Sequence, residues 1–378
     1  MNTPAPSTSP RVDIIAGARP NFMKIAPILA AMQQRQAAGG ALRFRLVHTG
    51  QHYDASMSGE FFSQLGIPRP DVNLEVGSGT QAEQTGAIMI GYEQLLRSSR
   101  SDMCLVVGDV TSTMACAIAA QKLQVSVAHV EAGIRSGDWS MPEEINRLVT
   151  DSITNHFFTT SAWAGDNLRR SGVSDERIFF VGNTMIDTLL THMERFRAPK
   201  FWDQAGLRAG EYFVMTLHRP ANVDAPAGFA AVLSAVGAAA RGMPVVFPVH
   251  PRTAKTLAQI ADQVPANVLI VEPQPYLEFN HLVRHAKAVI TDSGGITEET
   301  TVMGVPCITM RDSTERPETV TLGTNELIGT DPAQLKPTLD KLFAGQWKRG
   351  SIPALWDGRT GVRIVEVLER LLGTASKR

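Results

Sequence analysis

Polar side chains that could transfer protons follow several of the short apolar runs in this 378-residue chain. Carboxylates follow LVVG and VAHV, and imidazoles follow FVMTL and VFPV; these residues are Asp109, Glu131, His218 and His250. Carboxylates and imidazoles are common general acids and bases in enzymes. Strand ends need polar residues in any protein because loops are solvated, so each position alone also fits a structural role. Their recurrence favours a functional site.

The stretch TDSGGITEET, residues 291–300, predicts an anion-binding helix start. Ser293 is a favoured N-cap residue, and Gly294 and Gly295 would let backbone N–H groups approach a ligand. Two adjacent glutamates follow, and a carboxylate accepts hydrogen bonds from hydroxyls such as those of a ribose. A nucleotide diphosphate would satisfy both features. The alternative is a capped helix whose solvated glutamates interact favourably with its own dipole.

The stretch HVEAGIRSGDWSMPEEINR, residues 129–147, is dense in charge. Glu131 ends an apolar run beside a glycine, which favours a functional role. Glu143 and Arg147 are four residues apart and would share one helix face, where they could form an ion pair. For Glu144 we favour a purely structural role.

Short β-rich runs alternate with helical patterns along the chain, which predicts an α/β fold with doubly wound parallel sheets. We predict strands at 12–16, 44–47, 104–107, 125–130, 178–181, 212–217, 245–249, 268–271, 288–291 and 307–310. Ten strands fit two Rossmann-like domains facing across a cleft, where the ends of parallel strands bind ligands. We expect a disordered tail at 1–10, a first domain at 11–185 with a returning C-terminal helix near 360–378, and a second domain at 186–359.

Composition excludes several function classes. A net charge of −1 provides no field for nucleic acid or anionic membranes, and no apolar run approaches the roughly 20 residues that span a bilayer. The three cysteines, each within apolar sequence, suggest buried side chains in a reducing cytosol. No G-x-G-x-x-G follows the first strand, and there is no P-loop, HExxH or close histidine set for a metal. We therefore expect no nicotinamide cofactor and no metal.

The motifs together resemble the non-hydrolysing UDP-N-acetylglucosamine 2-epimerases. They occur in that family's order and cover nearly the whole chain: GARPNFMKIAPI, TGQHYDASMS, VVGDVTSTMACAIAA, HVEAGIRSGDWSMPEEINR, VGNTMIDTL, TLHRPANVD, PVHPRT and TDSGGITEET with RDSTERPETV. The resemblance implies the two-domain fold of GT-B glycosyltransferases, no cofactor, a cytoplasmic location and usually a homodimer. It also implies interconversion of UDP-GlcNAc and UDP-ManNAc by expulsion and re-addition of UDP through a 2-acetamidoglucal.

The resemblance also implies a set of site residues. Proton transfer at C2 would use Asp109, Glu131 and Glu143, with His218 near the leaving phosphate. The UDP group would be bound by Arg19, Lys24, His250, Phe279, Ser293, Gly294, Gly295, Glu299 and Arg316, with Phe279 stacking on uracil and Glu299 holding the ribose. Without the resemblance, Phe279 would be interpreted as core packing. Many bacterial members bind a second UDP-GlcNAc as activator, which here would involve Gln51, His52 and Arg219.

Two stretches depart from the family pattern. Asn21 replaces the acid of G-T-R-P-E, and Pro220 and Ala221 replace the second cation and the acid of H-R-R-E-N. A modified substrate such as a UDP-diacetamido-uronic acid therefore stays open as an alternative. A non-catalytic nucleotide-sugar binder and a glycosyltransferase of the same fold are further alternatives. The hydrolysing branch is less favoured because its members tend to lack the Pro-Glu-Glu and Thr-Glu-Arg-Pro stretches.

Overall fold

The structure is a computed structural model that describes residues 9–50 and 64–373, in two compact units. The first unit contains Met1–Thr188 and Ala354–Arg378, and the second contains Leu189–Pro353. Most of the expected tail, residues 1–8, lies outside the described residues. No helix in the described part of the chain is long and apolar enough to cross a membrane.

The first unit is built on a seven-stranded parallel sheet. Its strands are β1 (Arg11–Ala16), β2 (Arg43–His48), β3 (Val72–Asn73), β4 (Met103–Val107), β5 (Ser126–Val130), β6 (His156–Thr159) and β7 (Ile178–Phe180). They pair in the order β3-β2-β1-β4-β5-β6-β7. All five residues of β4 are buried, as expected for an apolar strand covered on both faces.

The second unit is built on a six-stranded parallel sheet of the same topology. Its strands are β8 (Phe213–Thr216), β9 (Val245–Pro248), β10 (Val268–Val271), β11 (Ala288–Thr291), β12 (Cys307–Thr309) and β13 (Asn325–Leu327). They pair in the order β10-β9-β8-β11-β12-β13.

Helices connect successive strands in both units. In chain order they are α1 (Arg19–Ala37), α2 (Gln81–Ser98), α3 (Thr111–Lys122), α4 (Pro142–Ile153), α5 (Ala162–Arg170), α6 (Thr184–His192), α7 (Pro220–Val223), α8 (Pro226–Ala239), α9 (Pro251–Gln259), α10 (Tyr276–His285), α11 (Gly294–Met303), α12 (Pro317–Thr321), α13 (Leu335–Phe343) and α14 (Thr360–Leu371). Helix α14 packs against α1, where Arg35 forms a 2.7 Å ion pair with Glu369.

The fold class predicted from the sequence is confirmed, and all ten predicted strands lie within one residue of observed ones. Three further strands, β3, β6 and β13, were missed. Their sequences, VN, HFFT and NEL, contain polar residues and therefore give no continuous apolar run. The cysteines Cys104, Cys116 and Cys307 are buried, as predicted.

Each sheet has one point where the strand order reverses, between β1 and β4 in the first unit and between β8 and β11 in the second. The loops after these strand pairs diverge to opposite faces of the sheet and leave a crevice at the carboxyl ends, where ligands of such sheets bind. The topology therefore predicts ligand-binding residues after β1 and β4, and after β8 and β11.

Candidate active site

Glu131 follows β5 and is held by a buried ion pair. Its side chain is 2% exposed, and its Oε2 atom lies 2.7 Å from Nζ of Lys24, which projects from α1. The backbone of Glu131 has φ 69°, a left-handed conformation that a non-glycine residue seldom adopts without tertiary support. The ammonium group compensates the buried carboxylate, so the carboxylate can be kept charged away from water. Such a carboxylate is suited to accepting a proton.

Gly108 brings the loop after β4 close to this ion pair. It has φ 70°, and a Cβ atom at this position would lie 3.1 Å from Nζ of Lys24. A side chain here would therefore be strained and would crowd the lysine. The next residue along the loop is Asp109. The glycine therefore allows the loop that carries Asp109 to lie beside the loop that carries Glu131.

Asp109 is held by two residues of α4, Asn146 and Arg147. Its Oδ2 atom accepts hydrogen bonds from Nε and Nη2 of Arg147 at 3.0 and 2.5 Å, and its backbone oxygen accepts one from Asn146 at 2.8 Å. The Asp109 side chain is 24% exposed, whereas that of Arg147 is 5% exposed. The arginine thus fixes one carboxylate oxygen from the buried side.

Glu144, not Glu143, forms the ion pair with Arg147. The distance from Glu144 Oε2 to Arg147 Nη1 is 2.8 Å, and Glu144 also accepts the backbone N–H groups of Ser136 and Gly137. The structural role favoured for Glu144 is supported, and the alternative of an ion pair between Glu143 and Arg147 is not observed among the described residues. Burial alone would raise the pKa of Glu144, but the backbone donors and Arg147 outweigh burial and lower it.

Glu143 points away from this network. It is exposed in the first turn of α4, and it makes no hydrogen bond or ion pair with other residues of the described chain. Both glutamates lie within one turn of Arg147, at spacings of four and three residues, and the buried Glu144 is the one that pairs with it. Its predicted role in proton transfer stays a prediction.

A buried histidine that was not predicted from the sequence links the loop after β4 to the loop after β5. His129 on β5 contacts the backbone oxygen of Gly108 through Nε2 and Asp151 through Nδ1, both at 2.8 Å. Asp151 also accepts from the backbone of Gly133 and from Arg135. Burial alone would raise the pKa of Asp151, but the hydrogen bond and charge of His129 and the charge of Arg135 lower it. This network fixes the backbone on both sides of Glu131.

Asn21, where the family pattern has an acid, bridges the loops after β1 and β4. Its Oδ1 atom accepts the backbone N–H groups of Gly17 and Ala18 at 3.2 Å, and its Nδ2 atom donates to Val107 O at 2.8 Å. A carboxylate could accept the first two hydrogen bonds but could not donate the third. The departure from the family pattern therefore has a structural use at the reversal point of the sheet.

Asp292, also missed from the sequence, holds His218 in the second unit. Its buried carboxylate accepts His218 Nδ1 at 2.9 Å, and it accepts the backbone N–H groups of His218 and Arg219 at 3.0 and 2.9 Å. Asn222 donates to the same carboxylate at 3.0 Å. Burial alone would raise the pKa of Asp292, but these donors and the charge of His218 lower it. The reversal point of the second sheet thus carries an oriented imidazole.

Helix α11 begins at the predicted position, but the predicted side-chain cap is not formed. Ser293 occupies the N-cap site, yet its side chain makes no capping hydrogen bond. A Cβ atom on Gly294 would lie 2.7 Å from Oε1 of Glu315, whose other oxygen pairs with Arg311 at 2.7 Å. A side chain at position 294 would therefore force the Glu315 carboxylate to move.

The two glutamates of α11 are buried, which excludes the alternative of solvated side chains. Glu298 forms an ion pair with Arg316 at 2.5 Å, and the Glu298 side chain is 1% exposed. Glu299 accepts a hydrogen bond from the Tyr276 hydroxyl at 3.1 Å. Burial raises the pKa of Glu299 to about 7, with a further contribution from the charge of Glu298. A buried carboxylate that is so weakly compensated is a candidate for ligand binding.

The remaining predicted residues are distributed as follows. His250 is exposed, and its ring centre lies 6.0 Å from that of His218. Phe279 is partly buried and packs against an apolar cluster of the second unit that includes Tyr212 and Leu282. The core-packing interpretation of Phe279 is therefore observed, and stacking on uracil stays a prediction. Gln51 and His52 lie outside the described residues, as does the side chain of Arg19.

Known proteins resemble this chain over nearly its full length. The family model described as UDP-N-acetylglucosamine 2-epimerase matches residues 34–369. The UDP-N-acetylglucosamine 2-epimerase of Methanocaldococcus jannaschii is 38% identical over 367 residues, which cover 95% of this chain and 98% of that protein. The UDP-2,3-diacetamido-2,3-dideoxy-D-glucuronate 2-epimerase of Pseudomonas aeruginosa is 40% identical over 319 residues, which cover 83% of this chain and 87% of that protein.

Solved structures show the same resemblance in three dimensions. The crystal structure of the M. jannaschii UDP-GlcNAc 2-epimerase in complex with UDP-GlcNAc and UDP matches with a TM-score of 0.85 at 37% identity, covering 95% of this chain and 99% of that chain. The UDP-bound co-structure of MnaA from S. aureus matches with a TM-score of 0.86 at 28% identity, covering 98% of each chain. By sequence and by fold, this chain belongs to the UDP-N-acetylglucosamine 2-epimerase family.

Proposed function

We propose that the chain is a UDP-N-acetylglucosamine 2-epimerase that interconverts UDP-GlcNAc and UDP-ManNAc. The observation that carries the proposal is the buried pair of Glu131 and Lys24, with Asp109 on the adjoining loop. This arrangement supplies proton-transfer groups at a sheet edge suited to ligands. The relatives named above act on UDP-sugars, which supports the same substrate class here.

The proposed reaction is an elimination followed by an addition. A base removes the C2 proton while the C1–O bond to the diphosphate breaks, which leaves a C1=C2 double bond in a 2-acetamidoglucal and frees UDP. A proton then returns to C2 on the opposite face, and a β-phosphate oxygen of UDP bonds to C1 again. Proton removal and return need groups on both faces, and we assign them to Asp109, Glu131 and Glu143.

The second unit would bind the nucleotide. The backbone N–H groups of Gly294 and Gly295, together with Ser293, would bind the diphosphate, since a helix N-terminus favours anions. Glu299 would accept hydrogen bonds from the ribose hydroxyls, and Phe279 would stack on uracil. Arg316 would act by holding Glu298 beside the ribose site, as its 2.5 Å ion pair suggests.

Charge that develops on the departing diphosphate would be stabilised by positive groups. We assign this task to His218 and His250, whose rings are 6.0 Å apart, and to Arg19 and Lys24 of the first unit. Preorganised donors of this kind contribute to catalysis because they need not reorient when the bond breaks.

The experiment is a proton NMR time course with UDP-GlcNAc in heavy water. The proposal predicts UDP-ManNAc and incorporation of deuterium at C2 of both sugars, because the abstracted proton exchanges with solvent. Epimerisation without deuterium at C2 would overturn the elimination mechanism. UDP binding without any turnover would support the non-catalytic binder instead.

A second candidate substrate is a UDP-2,3-diacetamido-2,3-dideoxy-uronic acid. The observation in its favour is the 40% identity to the P. aeruginosa enzyme named for the D-glucuronate form of that sugar. The altered Pro220 and Ala221 are consistent with a changed substrate. Measuring kcat/KM for both UDP-sugars with one enzyme preparation separates the two candidates, since specificity is the ratio of these values.

Three further properties are part of the proposal. We infer a cytoplasmic homodimer, which light scattering on the purified chain and fractionation of expressing cells would test. We also infer that Gln51, His52 and Arg219 bind a second UDP-GlcNAc as activator. Sigmoidal dependence of the rate on UDP-GlcNAc, lost in an Arg219→Ala variant, would support that inference, and hyperbolic kinetics in the unaltered chain would contradict it.

A further inference from the structure

The carboxylate of Asp292 makes an unusually complete set of contacts. Its Oδ2 atom accepts the backbone N–H groups of His218 and Arg219 and the side-chain amide of Asn222, at 3.0, 2.9 and 3.0 Å. Its Oδ1 atom accepts Nδ1 of His218 at 2.9 Å. The carboxylate therefore anchors both the backbone and the imidazole of the same residue, at the point where the strand order of the second sheet reverses.

These contacts determine which imidazole nitrogen carries the proton. An ionised carboxylate is only an acceptor, so the nitrogen that faces it, Nδ1 of His218, must be the donor. The other ring nitrogen, Nε2, makes no hydrogen bond to residues in the described part of the chain, and the His218 side chain is 43% exposed. The free edge of the ring is then available to a ligand.

The surroundings of the ring contain few other charged groups. The His250 ring lies 6.0 Å away, and Nε of Arg219 donates to the backbone oxygen of Asp292 at 2.9 Å. Neither group competes with the carboxylate for Nδ1. Asp292 is thus the group that sets the orientation and the proton position of His218.

We propose that Asp292 is a positioning residue that keeps Nδ1 of His218 protonated and so presents Nε2 to the departing diphosphate. A carboxylate behind an imidazole also stabilises the imidazolium form, which can donate a proton or hydrogen bond through Nε2. The orientation of the ring stands on the geometry of the second unit alone. The part that concerns the leaving group rests on the proposed epimerase function.

An Asp292→Asn variant tests the proposal through a specific change of tautomer. The asparagine oxygen should replace Oδ2, where three N–H donors converge, which places the asparagine NH₂ group against Nδ1 of His218. Nδ1 must then accept, so the neutral ring should carry its proton on Nε2 instead. In that variant the neutral ring could still donate a hydrogen bond through Nε2, but it would lack the carboxylate that stabilises the imidazolium form as a proton donor.

The control is Asn222→Ala, which removes one donor to Oδ2 and leaves the imidazole contact in place. Both variants loosen the same loop, so a fall in melting temperature is expected in both. Only Asp292→Asn should invert the tautomer. Long-range proton–nitrogen NMR of ¹⁵N-histidine protein at alkaline pH reports the tautomer, with His218→Gln used to assign the signal among the nine histidines.

We expect the unaltered chain to show His218 protonated at Nδ1, and Asp292→Asn to show it at Nε2. We expect the variant's kcat to fall by about 10²–10⁴-fold while KM and UDP affinity stay nearly unchanged. A signal from Nε2–H in the unaltered chain overturns the proposal without need of any variant. An inverted tautomer with normal kcat overturns the role in the reaction. If the unaltered chain fails to epimerise, the proposed function fails, and the spectrum still decides the orientation of the ring.

Discussion

The two units share one topology but carry different chemistry at equivalent positions. At the reversal point of the first sheet, Asn21 bridges the two loops and leaves Lys24 paired with Glu131 nearby. At the reversal point of the second sheet, Asp292 takes the bridging position and orients His218. Both loops are therefore fixed by a buried polar side chain. The group that is presented is a carboxylate in the first unit and an imidazole in the second.

The two units also differ in how the charge of their site carboxylates is compensated. In the first unit three carboxylates have a cation at hydrogen-bond distance: Lys24 for Glu131, and Arg147 for Asp109 and Glu144. In the second unit Glu299 is buried with a neutral tyrosine as donor, and its pKa is raised to about 7 by burial. The comparison shows that Lys24 and Arg147 compensate the carboxylates of the first unit, whereas Glu299 of the second unit is weakly compensated and could gain hydroxyl donors from a ligand.

The largest expected effect is a loss of turnover with little change in UDP affinity. Glu131→Gln and Asp109→Asn in the first unit should lower turnover by about 10²–10⁴-fold, the usual contribution of general acid–base catalysis. UDP affinity should change little, because neither substitution removes a group assigned to UDP: Arg19, Lys24 and the binding residues of the second unit all stay in place. Turnover, UDP affinity and melting temperature are measured for each variant, with the exposed Glu93→Gln of α2 as control.

Each outcome of that experiment has a definite meaning. Near-normal turnover in either variant would remove that residue from the mechanism. A collapsed melting temperature would assign a folding role instead, since removing one partner of a buried ion pair can cost about 3–5 kcal/mol. A loss of UDP affinity as large as the loss of turnover would assign these two residues to nucleotide binding instead of proton transfer.

The second effect is a pH dependence of stability caused by Glu299. Burial raises its pKa from 4.5 to about 7, so between these values the folded chain holds a proton that the unfolded chain has released. The stability contributed by this group is complete below pH 4.5 and is lost as the pH rises through about 7. At about 1.4 kcal/mol per pH unit, this amounts to about 3 kcal/mol over the window.

A Glu299→Gln variant removes this titration and should therefore gain stability relative to the unaltered chain as the pH rises. Urea denaturation at several pH values between 4.5 and 8 measures the difference in free energy of unfolding. The control is Glu211→Gln, an exposed residue next to the opposite end of β8. A difference that stays constant across the window would contradict the raised pKa of Glu299.

Most strands of both sheets and the loops of the site could be predicted from the sequence, but the contacts within the site could not. Apolar runs located ten strands because burial on both faces requires such runs. The partners in the site could not be predicted, since Lys24 and Glu131 are 107 residues apart and Asp109 and Arg147 are 38 apart. Local spacing allowed a pair of Glu143 with Arg147, whereas Arg147 pairs with Glu144, three residues away on the same helix face.

Two other errors have related physical causes. Ser293 was assigned a capping role from residue type alone, whereas the neighbouring Asp292 turned out to organise the loop. The glutamates of α11 could be read as solvated or as ligand-binding, because a ten-residue helix does not reveal from sequence which side is covered. Burial of Glu299 against Tyr276 depends on a separate helix, α10.

The smallest expected effect is the loss of the proposed ribose contact. Glu299→Ala should weaken UDP binding by about 1.5–3 kcal/mol, the usual value of hydrogen bonds to a charged group, which corresponds to roughly 10- to 150-fold in Kd. Its turnover at saturating substrate should fall much less, since ribose contacts are alike in the ground and transition states. Isothermal titration with UDP above pH 8, where the carboxylate is ionised in the unaltered chain, measures the effect, with Glu211→Ala as the matched control. A large fall in kcat with unchanged UDP affinity would mean that Glu299 takes part in the chemistry, and the contrast between the two units would then fail at this residue.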